Sequence, residues 1–293
     1  MISKPIPYGR QCITDGDIQA VIETLKSDYL TQGPKIKEFE AAFAEYVGAK
    51  YAVAVNNATS GLHLSATALD VRPGDKVIVT PMTFAASANC IRYCGGEVVF
   101  CDIDKDTYLM DIHKLESLLQ LSPKGTYKGI VPVDFAGYPL QMETFRRLAD
   151  EYGLWIIEDA CHAPGGYFVD GNGQKQYCGN GSFADVSVFS FHPVKHIATG
   201  EGGMVTTNNK ELYDRLCLYR THGITKNPDL LQELRLRGEP LVCDRMQSRR
   251  CGKSSSCSFH LLPRSRNRCK PRRLCPKGRC RPIQPIHSFR QPR

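Results

Sequence analysis

Residues 186–207 read VSVFSFHPVKHIATGEGGMVTT. Two apolar, β-rich runs, 185–191 and 203–206, enclose a loop that holds one lysine, Lys195, and the glycine-rich Thr199-Gly200-Glu201-Gly202-Gly203. Short, nearly continuous apolar runs read as strands covered on both faces, as the strands of parallel sheets are. Runs of the same kind recur upstream at 51–55, 76–80, 97–101, 129–133 and 154–158. Helical apolar spacing separates several of them, at 60–69, 85–93 and 142–152, and follows the last strand at 210–219. Strand and helix in alternation predict a three-layer α/β/α domain around a mostly parallel sheet. Two helices precede it. Thr14 and Asp17 form a cap-like pair ahead of Ile18, Val21, Ile22 and Leu25, and a second helix carries Ile36, Phe39, Phe43 and Val47 and stops at Gly48.

The charge of this 293-residue chain divides it. Its net +8 conceals a stretch, 241–293, with 15 Lys and Arg against one acid, Asp244, while residues 1–240 carry 23 basic and 29 acidic side chains. The body is mildly acidic and the whole basic excess lies in the tail. Of 13 cysteines, seven lie in the body, several within apolar runs such as Val98-Val99-Phe100-Cys101, and read as small buried hydrophobes of a reducing compartment. The other six crowd the tail without one CxxC pair, so no metal site is assigned. No apolar run approaches a bilayer's thickness, and the opening MISKPIPYGRQ has no apolar h-region. The expected compartment is therefore the cytoplasm, with no membrane partner.

Chemistry is suggested by order along the chain. The run Leu154-Trp155-Ile156-Ile157-Glu158-Asp159 ends in carboxylates, at the sheet edge where α/β proteins bind ligands. Lys195, in a tight loop just past a strand, can be desolvated so that its neutral amine attacks a carbonyl, and an aldehyde cofactor is its natural partner. Asp159 would then hold a proton on that cofactor's pyridine nitrogen. Upstream, Asn56-Asn57-Ala58-Thr59-Ser60-Gly61 opens a helix with small residues, as phosphate sites do; Ser190 adds a hydroxyl, and Phe84 is an aromatic fit to stack on a flat ring. Singly each is ordinary. A strand-end Asp is more often a cap, a loop Lys is usually solvated, Ala-Thr-Ser-Gly is a common helix start, Phe84 suits a core, and His162 could be a satisfied structural histidine. Their joint order raises the functional reading, and without a GxGxxG or Walker pattern the dinucleotide and ATP readings have little support.

The phrases LTQGPKIKEFE (30–40), NNATSGLHL (56–64), TPMTFAASANC (80–90), IIEDACHAPGG (156–166), VFSFHPVKHIATGEGGMV (188–205) and YRTHGIT (219–225) resemble the DegT-type sugar-nucleotide aminotransferases. These are pyridoxal-phosphate (PLP) enzymes of the aspartate aminotransferase fold, and the resemblance runs from about residue 7 to 224. It implies Lys195 as the cofactor-holding lysine, Asp159 as the pyridine partner and His162 as the residue near the ring hydroxyl. It places Ala58, Thr59 and Ser190 at the phosphate, Phe84 on the ring, and Tyr8, Tyr29, Leu30 and Thr31 at the sugar nucleotide, with Ala58 and Ser190 shared by both. Within the family the nearest pattern is that of the pseudaminic-acid branch. That branch implies transfer of an amino group, from L-glutamate, to C4 of a UDP-linked 4-keto-6-deoxy-N-acetyl sugar by a homodimer. A related dehydratase subgroup replaces the lysine with histidine, and Lys195 argues against it.

The family pattern stops near Pro240. The expectation is a PLP-binding large domain at 1–240, no C-terminal small domain, and a disordered Arg/Cys/Pro-rich stretch at 241–293, from a reading-frame change or a mis-joined coding sequence. Two other functions compete with the aminotransferase. One is an inactive remnant that binds PLP weakly or not at all. The other is nucleic-acid binding by the basic tail, which its lack of helical pattern and its two aromatics, Phe259 and Phe289, disfavour.

Overall fold

The structure is a computed structural model that describes residue 9 and residues 11–223. The chain opens with helices α1 (Asp15–Lys26) and α2 (Pro34–Val47), then enters a strand–helix series. Strand β1 (Tyr51–Val55) leads into α3 (Ala58–Ala68), β2 (Lys76–Val79) into α4 (Ala86–Tyr93), and β3 (Glu97–Phe100) into α5 (Ile112–Gln120). Strand β4 (Tyr127–Val131) is followed by a single 3-10 turn (Phe135–Gly137), α6 (Met142–Tyr152) and β5 (Trp155–Asp159). A hairpin, β6 (Tyr167–Val169) and β7 (Lys175–Tyr177), precedes β8 (Val186–Ser190), β9 (Gly203–Thr207) and α7 (Lys210–Arg220).

Seven strands form one sheet in the order β1-β9-β8-β5-β4-β2-β3. The contacts β2–β3, β2–β4, β4–β5 and β5–β8 are parallel; β9 alone runs against its neighbours β8 and β1. Because strand side chains alternate between faces, the runs feed two layers at once. Val77, Val79, Val131, Ile157, Val188 and Val205 pack with Leu62 of α3, Ile91 of α4 and Leu216 of α7. Ile78, Ile130 and Ile156 point the other way, against Leu115 and Leu119 of α5 and Phe145 and Leu148 of α6. Phe189 and Met204 extend that second face to Phe43 and Val47 of α2. The α/β/α sandwich expected from the sequence is the observed architecture.

Helix α3 approaches the sheet closely at Gly61, where an added Cβ would lie 3.0 Å from Val188 Cγ1 and 3.2 Å from Val205 Cγ2. This glycine lets α3 lie against the sheet, which sets where the helix N-terminus points. A buried ion pair fixes the other end of the layer. Arg220 of α7 is paired with Glu40 of α2, which is 4% exposed, and both also bond the Ala54 backbone of β1: the Ala54 N–H donates to Glu40 Oε1 at 3.0 Å and Arg220 donates to the Ala54 carbonyl at 3.0 Å. Lys37 Nζ also stands 2.9 Å from Glu40 Oε2, so removing Arg220 leaves the buried carboxylate with one cation in place of two. Arg220→Ala is therefore expected to lower unfolding free energy by about 2 kcal/mol, the scale of hydrogen bonds to a charged group, measured by urea denaturation, whereas a loss under about 0.5 kcal/mol, the level of an exposed pair, would show that α2, β1 and α7 do not depend on it.

Several expectations change. Helix α1 forms with its Thr14–Asp17 capping box, but none of its residues is buried; Ile18, Val21, Ile22 and Leu25 stay exposed because no described element packs on their stripe. Cys12 is exposed, unlike the buried Cys90, Cys101 and Cys178, because it lies before α1, whose residues are not buried either. Helix α5 and the β6–β7 hairpin were not anticipated, although Asp111, whose carboxylate accepts from the His113 and Lys114 N–H groups, caps α5 in the ordinary way. All described residues belong to one unit, Met1–Arg245. The boundary near 240 and the tail at 241–293 lie outside the described residues.

Candidate active site

Parallel strands end together, so their last side chains gather at one edge. Strand β5 ends on Asp159, which is in register with Val188 of β8, two residues before Ser190. Helix α3 begins just past β1, whose Val55 pairs with Gly203 at the start of β9. A cavity of about 450 Å³ opens along this edge. Its wall includes Ala58, Thr59, Phe84, Asp159, His162, Ser190 and Lys195, which are all seven positions expected to hold a cofactor. The sugar-side expectations are not brought there. Tyr29, Leu30 and Thr31 are exposed in the turn between α1 and α2 and are not part of that wall, and Tyr8 lies outside the described residues.

The N-terminus of α3 is open toward the cavity. Asn57 caps it: its side-chain oxygen accepts from the Ser60 N–H at 2.8 Å, and its carbonyl takes the Gly61 N–H at 3.1 Å. The N–H groups of Ala58 and Thr59, the first two of the helix, make no hydrogen bond among the described residues and stand beside the cavity with the Thr59 hydroxyl and Ser190. Gly203 supports this cradle from behind; a Cβ there would come within 2.8 Å of the Asn57 carbonyl carbon and the Ala58 nitrogen. Two peptide dipoles and two hydroxyls at a helix start make an anion site.

Asp159 is 4% exposed, and both its oxygens are occupied. Oδ2 accepts from the Ser87 hydroxyl at 2.6 Å and Oδ1 from the Cys161 N–H at 3.2 Å. His162, three residues on, has its tautomer fixed by a neighbour that can only donate: the Ala136 N–H bonds Nδ1 at 3.2 Å. The proton of the neutral ring therefore sits on Nε2. Burial first, and then the charge of Lys195, push the imidazole below its ordinary value, so it stays neutral at physiological pH. Lys195 is held by a closed loop. Its N–H donates to the His192 carbonyl at 2.8 Å, and the loop is pinned by Phe191 N–H to Gly202 O and Thr199 N–H to Phe191 O, both 2.9 Å.

Sequence reasoning missed what stands behind these groups. Ser87 and Thr83 carry no motif of their own, although both lie in the quoted 80–90 phrase. A second omission is a buried carboxyl pair. Asp134 and Glu158, with Cys178, place their polar atoms within 4.8 Å of one another, all buried. Glu158 Oε2 accepts from the Ser187 hydroxyl at 2.5 Å and the Gly179 N–H at 3.1 Å, while Asp134 Oδ1 accepts from the Leu140 N–H at 2.9 Å and its Oδ2 has no partner. Burial, then the neighbouring Glu158, drives Asp134 far above the usual carboxylate range, and burial raises Glu158. Glu158, which accepts two hydrogen bonds to Asp134's one, carries the charge and Asp134 the proton.

This pair has a pH signature. A raised carboxyl keeps its proton in the folded chain after the unfolded chain has released it, so its stabilisation is present at low pH and is lost as pH rises through that window. Urea midpoints should fall from about pH 5 to 8, and Asp134→Asn, which keeps a neutral group in place, should fall less over that range. Parallel curves for the two proteins would contradict the assignment of the proton to Asp134.

A cavity edge with an anion cradle, a buried carboxylate and an amine is the equipment of a domain that binds a phosphorylated, carbonyl-bearing cofactor. The chain belongs to the DegT/DnrJ/EryC1/StrS aminotransferase family, whose model matches residues 11–238. It is 44% identical over 223 residues to the UDP-4-amino-4,6-dideoxy-N-acetyl-beta-L-altrosamine transaminase of Campylobacter jejuni, covering 75% of this chain and 56% of that protein. Among solved structures it resembles Helicobacter pylori PseC, an aminotransferase involved in the biosynthesis of pseudoaminic acid. The TM-score is 0.68 at 36% identity, over 76% of this chain and 58% of that one. The PLP form of the sugar aminotransferase Spr1654 from Streptococcus pneumoniae matches with a TM-score of 0.66 at 33% identity, over 76% and 59% of the two chains. The chain spans about half the length of the curated relatives it matches, between 54% and 56%.

The residues present fit pyridoxal phosphate. The unbonded N–H groups of Ala58 and Thr59 suit its phosphate, Asp159 its ring nitrogen and the Lys195 amine its aldehyde. Phe84, 74% exposed, is free to lie on the ring.

Proposed function

We propose that this chain carries the cofactor site of a PLP-dependent transaminase acting on a nucleotide-linked keto sugar. The observation that carries the reading is the gathering of Lys195, Asp159, His162 and the open start of α3 on one cavity wall. Bound there, pyridoxal phosphate supplies an electron sink that lets an amino donor's α-carbon lose its proton. The protein's residues do the rest. Ala58, Thr59 and Ser190 hold the phosphate, Phe84 covers the ring, and Asp159 keeps a proton on the ring nitrogen. His162 offers its Nε2 proton to the ring hydroxyl. The Lys195 amine would hold the cofactor at rest and, when free, would carry the proton taken from the donor's α-carbon.

The relatives' names narrow the substrate. Two curated relatives named as UDP-4-amino-4,6-dideoxy-N-acetyl-beta-L-altrosamine transaminases, 44% and 42% identical, support a UDP-linked 4-keto-6-deoxy-N-acetyl sugar aminated at C4. L-Glutamate is the proposed donor, pseudaminic acid biosynthesis the proposed setting, and a cytoplasmic homodimer the proposed form; Tyr8, Tyr29, Leu30 and Thr31 are proposed for the sugar nucleotide. No helix among the described residues is long and apolar enough to cross a membrane. The test is incubation with PLP, glutamate and a panel of UDP- and TDP-linked keto sugars, with mass analysis of the products. Amination of the UDP-linked 4-keto-6-deoxy-N-acetyl sugar above the others supports this substrate. Preference for a TDP sugar would retain the transaminase and replace the substrate, and no aminated product from any sugar would reject both.

A further inference from the structure

Ser87 lies in the first turn of α4, fully buried, and its hydroxyl has three oxygen neighbours. Asp159 Oδ2 is at 2.6 Å, Thr83 Oγ1 at 2.6 Å and the Phe84 carbonyl at 3.2 Å. The hydroxyl has one proton to give. A carboxylate and a carbonyl can only accept, and the charged, closer partner wins. The Ser87 proton is thus committed to Asp159, and the short contact to Thr83 can be satisfied only if Thr83 donates. Thr83 is on the cavity wall, whereas Ser87 lies behind it.

We propose that Ser87 is the positioning residue that holds Asp159, and that it orders the hydroxyls so that Thr83 turns its proton inward and presents only lone pairs to the cavity. The inference rests on the proposed function for its meaning, since Asp159 matters there as the partner of the ring nitrogen; the hydroxyl order follows from the oxygens alone. Without the Ser87 proton, Asp159 keeps only the longer Cys161 N–H contact, and its carboxylate is free to rotate away from the cavity. Thr83 then loses its acceptor, and its hydroxyl turns to the cavity as a donor. The segment carrying Phe84 is joined to Asp159 through the same hydroxyl, so the ring platform and the ring-nitrogen partner are set by one side chain.

The test is a double-mutant cycle with Ser87→Ala and Asp159→Ala, read in two ways. The first is the dissociation constant of pyridoxamine 5′-phosphate, whose amine Lys195 cannot hold covalently. Ser87→Ala should weaken it about tenfold, the scale of one charge-assisted hydrogen bond, and should add little when Asp159 is already Ala. Thr83→Val, which spares the Ser87–Asp159 bond, should weaken it less than Ser87→Ala does. The second reading is the urea midpoint of the cofactor-free protein, in which the two substitutions should be non-additive. Nuclear magnetic resonance gives the direction. The Thr83 hydroxyl proton should exchange slowly with water in the wild type and fast in Ser87→Ala. Additive losses, or a Thr83 proton that exchanges fast in both proteins, would overturn the proposal. A wild type that binds neither pyridoxal nor pyridoxamine phosphate would instead reject the proposed function, and the unfolding cycle would still decide the relay.

Discussion

Lys195→Ala is expected to abolish covalent attachment of pyridoxal phosphate and, with it, amino transfer. Attachment needs an amine on the cavity wall, and Lys195 is the lysine there among the described residues. The loop that presents it is tied by its own backbone, through Phe191, Gly202 and Thr199, so alanine at this position leaves the fold intact. The cofactor should still bind through its phosphate at the start of α3, but more weakly and without the absorbance band that marks covalent attachment. His162, whose Nδ1 accepts from the Ala136 N–H and whose Nε2 carries the ring proton, is not an amine and cannot form the covalent link in place of Lys195. Absorbance titration with the cofactor and a transamination assay check this. Retention of either property by Lys195→Ala would give the role to another residue.

Asp159→Asn should separate binding from turnover. The amide is nearly the carboxylate's shape, so the bond from Ser87 can persist, and Lys195 and the phosphate cradle still hold the cofactor. A neutral amide cannot keep a proton on the ring nitrogen, and the electron sink fails. Loss of one preorganised partner of a developing charge lowers kcat by about 100- to 1,000-fold, so the variant should bind PLP and turn over at least that much more slowly. Asp159→Asn working within a few-fold of wild type would remove this carboxylate from the electron-sink role.

The fold was legible where short apolar runs had to serve two faces. Residues 186–190 and 203–207 are wholly buried, and their lack of any charged residue is consistent with that. Helix α6, expected at 142–152, is found at Met142–Tyr152, because its apolar stripe and Gly153 stop are both local signals. The reversed direction of β9 was not legible, since strand direction depends on a connection that the loop around Lys195 makes and not on residue type. The exposure of α1 was hidden for a related reason: spacing shows that a helix has an apolar stripe and not what lies against it.

The site divides the same way. Asp159 ends a strand and Lys195 lies in the loop between β8 and β9, so placing the strands placed both at one edge. Ser87 could not be found, because a serine inside a helix turn becomes informative only when the strand-end carboxylate beside it is known. Asp134 and Glu158 lie 24 residues apart on different strand exits, and their shared proton follows from burial, which sequence spacing does not express.

The measurement that bears most directly on the central claim is a mapping of the attachment point. The protein is incubated with pyridoxal phosphate, reduced with borohydride to make any attachment permanent, digested, and its peptides weighed. A phosphopyridoxyl group on the peptide carrying Lys195, absent after Lys195→Ala, is the predicted result. A group carried by a different lysine, or none on any peptide, would contradict the claim that this cavity holds the cofactor through Lys195.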